Sequence, residues 1–179
     1  MRYIALIRKL NAGSENRIKK DQLQEIFISL NYNDVKVYIN SGNVVFDSND
    51  NIKNIKGNIE KSLTSYFAND MQVIILNKND FKRIADQIPN EWKNDEIQRT
   101  DVAFLFDNIN NVEILNSLPF NEKYITVKYI NNALIWNLQK TNYNKSRLGK
   151  IIMSDLYKNM TLRNINTVRE LYKILINSA

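Results

Sequence analysis

Eleven residues carry the polar chemistry that could act on a ligand: Arg8, Asn11, Ser41, Gly42, Asn43, Ser146, Arg147, Arg163, Asn164, Asn166 and Thr167. Guanidinium forks match phosphate and carboxylate oxygens in a bidentate way. Hydroxyl and amide side chains at the start of a helix add donors where backbone N–H groups already point outward and the dipole favours negative charge. On the reading below, Arg8 and Asn11 close the first strand, and Ser41, Gly42 and Asn43 form a hairpin tip. Ser146 and Arg147 open one late helix, and Arg163 to Thr167 open the last. The chemistry such a set supports is anion recognition. Each residue also has a plainer use. Thr161 or Asn164 suits an N-cap, Ser41 to Asn43 suits a bare turn, Arg8 could pair with Asp47 or Asp101, and Asn166 and Thr167 could tie the last helix to the sheet.

Catalytic alternatives are narrow. The chain has no histidine and no cysteine. That removes the usual zinc sites, Ser-His and Cys-His nucleophiles and imidazole acid–base work. A carboxylate-bound Mg²⁺ is the metal chemistry still open. Four glycines include no GxxxxGK loop and no GxGxxG turn. Residues 41–48 do not supply the aromatic pattern of an RNA-recognition motif. Tyr3, Tyr38, Phe46, Tyr129 and Trp136 read as core or edge aromatics. Glu91, Asp95 and Glu96 read as a solvated loop, and no acid–base pair stands out. No catalytic residue, cofactor or metal site is assigned.

The 179 residues carry a net charge of +6, unevenly placed. Residues 1–20 hold +5, residues 21–100 hold −3, and residues 101–179 hold +4. Basic excess of this kind favours polyanionic partners, although a solvated basic surface would look the same. Hydrophobic residues make up 44%, enough for a real core. The apolar run Tyr3–Ile7 is too short for a signal peptide or a membrane helix. A cytoplasmic protein without a membrane partner is expected.

The elements that must position these groups follow from periodicity. Arg2–Arg8 reads as a central strand, residues 11–16 as a loop, and residues 20–30 as a helix with Leu23, Ile26, Phe27 and Leu30 on one face. Val35, Val37 and Ile39 alternate with polar residues as a strand does. Ser41-Gly42 is expected as a two-residue turn into Asn43–Asp47. A helix follows from about Asn51, with Ile52, Ile55, Ile59, Leu63 and Phe67 as its stripe, then a strand over 71–76. That is the β-α-β-β-α-β order of a ferredoxin-like unit. Asn77 is placed to cap a helix ending before Pro89. The second half reads as a strand over 101–106, a short helix over 110–115, strands over 124–130 and 133–138, and a helix over 145–157. Asn131-Asn132 is expected as a type I′ turn. A last helix over 164–176 stands where the first half has a strand. The fold class is therefore α+β, a degenerate duplication of ferredoxin-like halves, residues 1–77 and 78–179, packed as one unit with C-terminal helices.

Three segments carry a family resemblance: Tyr3–Arg8 with Asn11 and Gly13; Tyr38–Phe46; and Ser146-Arg147-Leu148 with Thr161–Val168. In order and spacing the chain resembles the bacterial domain of unknown function 1697 family. The resemblance implies a duplicated ferredoxin-like α+β fold and no established activity, substrate or cofactor. This sequence departs from the pattern at Lys9, where a glycine is usual, at Ser14, which replaces a second glycine, and at Ile165, where tryptophan is common. The glycine losses argue against a phosphate-cradling first loop.

Function stays open between three classes. The reading favoured by the basic ends is a non-catalytic binding module for a phosphorylated or nucleic-acid ligand. The alternatives are an enzyme clamping a small phosphate- or carboxylate-bearing metabolite with Arg8, Arg147 and Arg163, and a structural or partner-binding protein using a strand edge. Oligomeric state cannot be read.

Overall fold

The computed structural model describes residues 1–11, 16–39 and 42–177. The chain forms two compact units, Met1–Lys82 with Leu171–Ala179, and Arg83–Glu170.

In the first unit every residue of strand β1 (Arg2–Ile7) is buried. An apolar run without polar alternation is what a strand covered on both faces requires. Helix α1 (Lys20–Ser29) follows, then strands β2 (Asn33–Tyr38) and β3 (Asn43–Asp47), helix α2 (Ile52–Phe67) and strand β4 (Val73–Asn77). The sheet order is β2-β3-β1-β4, and each pair is antiparallel. Leu23 and Phe27 of α1, with Ile55, Ile59 and Leu63 of α2, close the core over Tyr3, Ala5, Val44 and Phe46. Each of the Leu, Ile, Val and Phe side chains among them stabilises the fold by roughly 1.5–3 kcal/mol on burial. The Asn51 side chain caps α2 by accepting from the Asn54 N–H at 2.9 Å. Asn77 does the same for helix α3 (Lys78–Asp86), accepting from the Asp80 N–H at 2.9 Å.

The second unit holds strands β5 (Gln98–Leu105), β6 (Thr126–Ile130), β7 (Ala133–Gln139) and β8 (Met160–Asn164), ordered β6-β7-β5-β8 and again antiparallel throughout. Trp136 is fully buried, and its indole N–H donates to Asp101 at 3.2 Å.

Strand β8 overturns the expectation that a helix replaces the fourth strand of this half. Residues 160–164 pair with β5, placing Thr161 opposite Phe104 and Arg163 opposite Val102. Helix α6 (Ile165–Ile176) starts directly afterwards, so no turn separates the two. The helix expected over 145–157 is broken into α4 (Tyr143–Ser146), α5 (Gly149–Ile152) and a 3₁₀ turn over Asp155–Asn159. The break falls at Arg147, whose backbone is left-handed at φ +60°. The helix expected over 110–115 is two 3₁₀ segments, Asp107–Ile109 and Val112–Ser117.

Two turns also differ from expectation. Strand β2 ends at Tyr38 and β3 begins at Asn43, so the first hairpin loop is wider than the two residues Ser41-Gly42. In the second hairpin only Asn132 has positive φ (+75°), whereas a type I′ turn needs it at both central residues. The Asn110 side chain accepts from both the Asn132 N–H (2.9 Å) and the Tyr129 hydroxyl (3.1 Å), and so clamps this turn from outside the hairpin.

Candidate functional site

In the first unit the hairpin tip lies on the end of β1. Ile7 N–H donates to the Gly42 carbonyl at 2.8 Å, and Arg8 N–H donates to the Gln72 carbonyl at 2.9 Å. Gly42 has φ +73°, and a Cβ there would stand 3.0 Å from both Ile7 Cβ and the Ile7 carbonyl oxygen. This glycine is demanded by the backbone and by the close approach, not by a ligand. Asn43 is fully buried, and its amide donates across the hairpin to the Tyr38 carbonyl at 3.3 Å. Asn11 closes its own loop: its side chain accepts from Ile18 N–H at 2.8 Å and donates to the Ile18 carbonyl at 3.2 Å. Arg8 is half-buried. Ser41 lies outside the described residues.

The ion pairs expected of Arg8 go to other cations. Asp47 pairs with Arg2 at 3.0 Å, and Asp101 pairs with Arg99 at 2.7 Å. Arg2, itself buried, also reaches Asp34 at 2.7 Å, and Lys36 meets the other oxygen of Asp34 at 3.3 Å. The hydrogen bond from Arg2 holds the Asp34 carboxyl below its ordinary range, with that from Lys36 adding to it. This Arg2–Asp34–Asp47 cluster pins both hairpin strands to β1. The sequence reading missed it, although an arginine inside a buried strand was a signal that carboxylates must follow it inward.

In the second unit Ser146 is not at a helix start. It ends α4 and is fully buried. Its hydroxyl donates to the Tyr143 carbonyl at 2.7 Å and accepts from Leu148 N–H at 3.2 Å. That pair of bonds turns the chain and leaves Arg147 exposed at the corner. Arg163 is likewise not at a helix start. It lies buried on β8, donating to the Thr161 hydroxyl at 2.9 Å and the Leu162 carbonyl at 2.7 Å. Desolvation pulls its guanidinium pKa down to about 10. Asn164 is the N-cap of α6, accepting from Thr167 N–H at 2.9 Å. Asn166 donates to the Asn94 carbonyl at 3.1 Å and ties the helix start to the loop before β5. Ile165 is fully buried, a packing position.

Of the two predicted arginines in this unit, Arg147 stays presented to solvent, and it has company. Asn121 N–H donates to the Ser146 carbonyl at 3.0 Å, which docks the 121–124 turn beside α4. The Lys123 ammonium then stands 5.7 Å, and that of Lys145 5.6 Å, from the centre of the Tyr124 ring. Two ammonium groups that close to one ring are within about 11 Å of each other, a repulsion of about 0.4 kcal/mol in water. Lys123, Lys145, Arg147 and Lys150 are all exposed. None of the four forms an ion pair among the described residues. The residues around Tyr124 were not singled out from sequence, where Tyr124 opens the strand expected over 124–130; the strand starts at Thr126 instead.

Among the described residues no three carboxylates gather closely enough to hold a metal ion, and no helix is long and apolar enough to cross a membrane. Asp95 of the 91–96 loop is occupied as a turn cap: the Gln98 N–H, and then that of Ile97, hold its carboxyl below the ordinary range.

Residues 1–136 match the family model described as protein of unknown function (DUF1697). A solved structure of a conserved bacterial protein, SP0830 from Streptococcus pneumoniae, superposes with a TM-score of 0.85 at 22% identity, covering 97% of this chain and 98% of that one. At that identity the likeness speaks for the fold alone. No curated protein matches the chain.

Proposed function

The chain belongs to this family of unknown function, and within it we propose a non-catalytic role: binding an anionic ligand, phosphorylated or nucleic acid, at the basic corner around Arg147. One observation carries the reading. Lys123 and Lys145, from separate segments, converge on Tyr124 beside Arg147, and none of these cations is neutralised by a carboxylate among the described residues. Like charges gathered on one ring are stabilised when an anion joins them. The competing enzyme reading needs Arg163 as a clamp. It has less support, because that guanidinium is buried and hydrogen-bonded to its own strand.

Duplication of a ferredoxin-like unit accompanies this proposal. Its support is the shared strand order: in both units the second, third, first and fourth strands follow one another across the sheet. A cytoplasmic setting is part of the same reading and fits a chain without cysteine.

Fluorescence anisotropy tests it with a labelled single-stranded RNA oligomer, a DNA duplex and polyphosphate at low salt. Binding is expected to weaken with salt, by a log–log slope of about 0.7 for each single-strand phosphate neutralised. Lys123→Ala, Lys145→Ala and Arg147→Ala should each weaken it. Absence of binding to every probe at tens of micromolar, or unchanged binding by all three variants, would sink the proposal.

A further inference from the structure

We infer that the outer edge of β6 is a docking site for an extended peptide segment, apolar at alternate positions and acidic at the intervening ones. β6 is a border strand, with β7 on one side of it. Ile130 pairs with Ala133 across a two-residue loop, so these two must exchange both ladder hydrogen bonds. The Leu105 N–H donating to the Asn132 carbonyl on the far side of β7 fits this phase. The phase alternates along the strand without a register shift. Lys128 and Thr126 therefore face β7 with their backbone groups, while the N–H and C=O of Val127 and Tyr129 point outward.

A groove of about 360 Å³ runs beside this edge, lined by Leu115, Leu118, Phe120, Glu122, Ile125 and Val127 among others. Leu115 and its neighbour Val112 are 37% and 54% exposed. A strand added to β6 would lay every second side chain over that groove, the arrangement in which backbone bonds supply affinity and pockets supply specificity. Its other side chains would lie beside Lys128, on the opposite face of the sheet, whose ammonium stands 5.2 Å from the centre of the Trp92 ring. Opposite charges across neighbouring strands stabilise the pairing and like charges weaken it. An acidic partner strand satisfies Lys128, whereas a second copy of this chain would bring a further net charge of +6 to the edge.

The probe is an acetylated eight-residue peptide of alternating valine and glutamate, titrated into the ¹⁵N-labelled full chain. Amide shifts and slowed hydrogen exchange are expected at Val127 and Tyr129. Val127→Pro removes an outward N–H without touching the β7 ladder and should weaken binding about fivefold or more, the effect of one lost backbone bond. Val127→Ala retains that N–H and should bind better than the proline variant. Should the proline variant fail to fold, N-methylation of alternate peptide amides supplies the same deletion from the other partner and should abolish binding. Lys128→Glu should invert the preference toward a valine–lysine peptide. No binding at millimolar peptide, shifts mapping away from β6, or N-methylated peptide binding as well as the parent would overturn the inference. So would self-association of the wild type that Val127→Pro abolishes, since a second copy would then own the edge.

Discussion

Replacing glycine by alanine at positions 42 and 57 should move stability in opposite directions. At Gly42 the new Cβ meets Ile7 Cβ and the Ile7 carbonyl oxygen at 3.0 Å and Leu10 Cβ at 3.1 Å, on a backbone of φ +73°. The left-handed conformation costs an L-residue about 1–2 kcal/mol. Forcing a methyl into the contact with β1 adds about 1–3 kcal/mol, because the obstructing atoms include backbone that cannot rotate away. A stiffer unfolded chain offsets about 0.4–1 kcal/mol. The net loss is about 1–5 kcal/mol, a midpoint drop of roughly 2–18 °C for a chain of this size. At Gly57, inside α2, a Cβ meets nothing within 4 Å, so alanine should stabilise by about 0.5–1 kcal/mol. Urea denaturation with an unchanged slope reads both. A Gly42→Ala variant within 0.5 kcal/mol of wild type, or a Gly57→Ala variant as damaged as it, would refute the account of the hairpin tip.

Lys9 has φ +56°, the left-handed region in which a glycine is at ease. Lys9→Gly should therefore stabilise by up to about 1 kcal/mol in the same denaturation assay, the relieved strain exceeding the added chain entropy. Asn164→Ala deletes the cap on Thr167 N–H and should lose about 1 kcal/mol, whereas Asn164→Asp should keep most of it. Arg2 holds Asp34 below its ordinary value of 3.8. The associated stability is complete above that value and drains as pH falls through it toward the folded-state pKa. Urea midpoints from pH 6 to 2.5 should fall less steeply for Asp34→Asn than for wild type, and an identical acid slope would remove the assigned role.

Much of the architecture could be read from local patterns. The 3.6-residue stripe Ile55, Ile59, Leu63 announces α2, and the uninterrupted apolar run of β1 announces a buried strand. Asn77 caps α3 as its side-chain chemistry suggests. Strand β8 could not be read this way. Met160–Asn164 has no turn signal before α6, and its extended state comes from the ladder with β5, a partner some sixty residues away in the chain. Placing Arg163 and Ser146 at helix starts failed for two different reasons. Arg163 belongs to that ladder, and the Ser146 hydroxyl breaks its helix by bonding Tyr143 and Leu148 locally.

The candidate site divides along the same line. Residue types alone determined that imidazole and thiol chemistry are closed to this chain, because what is missing from a composition is missing from every fold of it. A turn at Gly42 was legible too, since the freedom to turn left-handed is intrinsic to glycine, but the width of the loop was not. Tertiary structure decided which polar groups remain available. Asn11, Asn43, Ser146, Arg163 and Asn164 satisfy backbone or neighbouring side-chain groups that folding brings to them. Lys123 and Lys145 become neighbours only because the 121–124 turn docks on the end of α4. Burial and long-range pairing are properties of the folded chain, and among the described candidates they left Arg147 as the exposed arginine, with a new set of lysines around it.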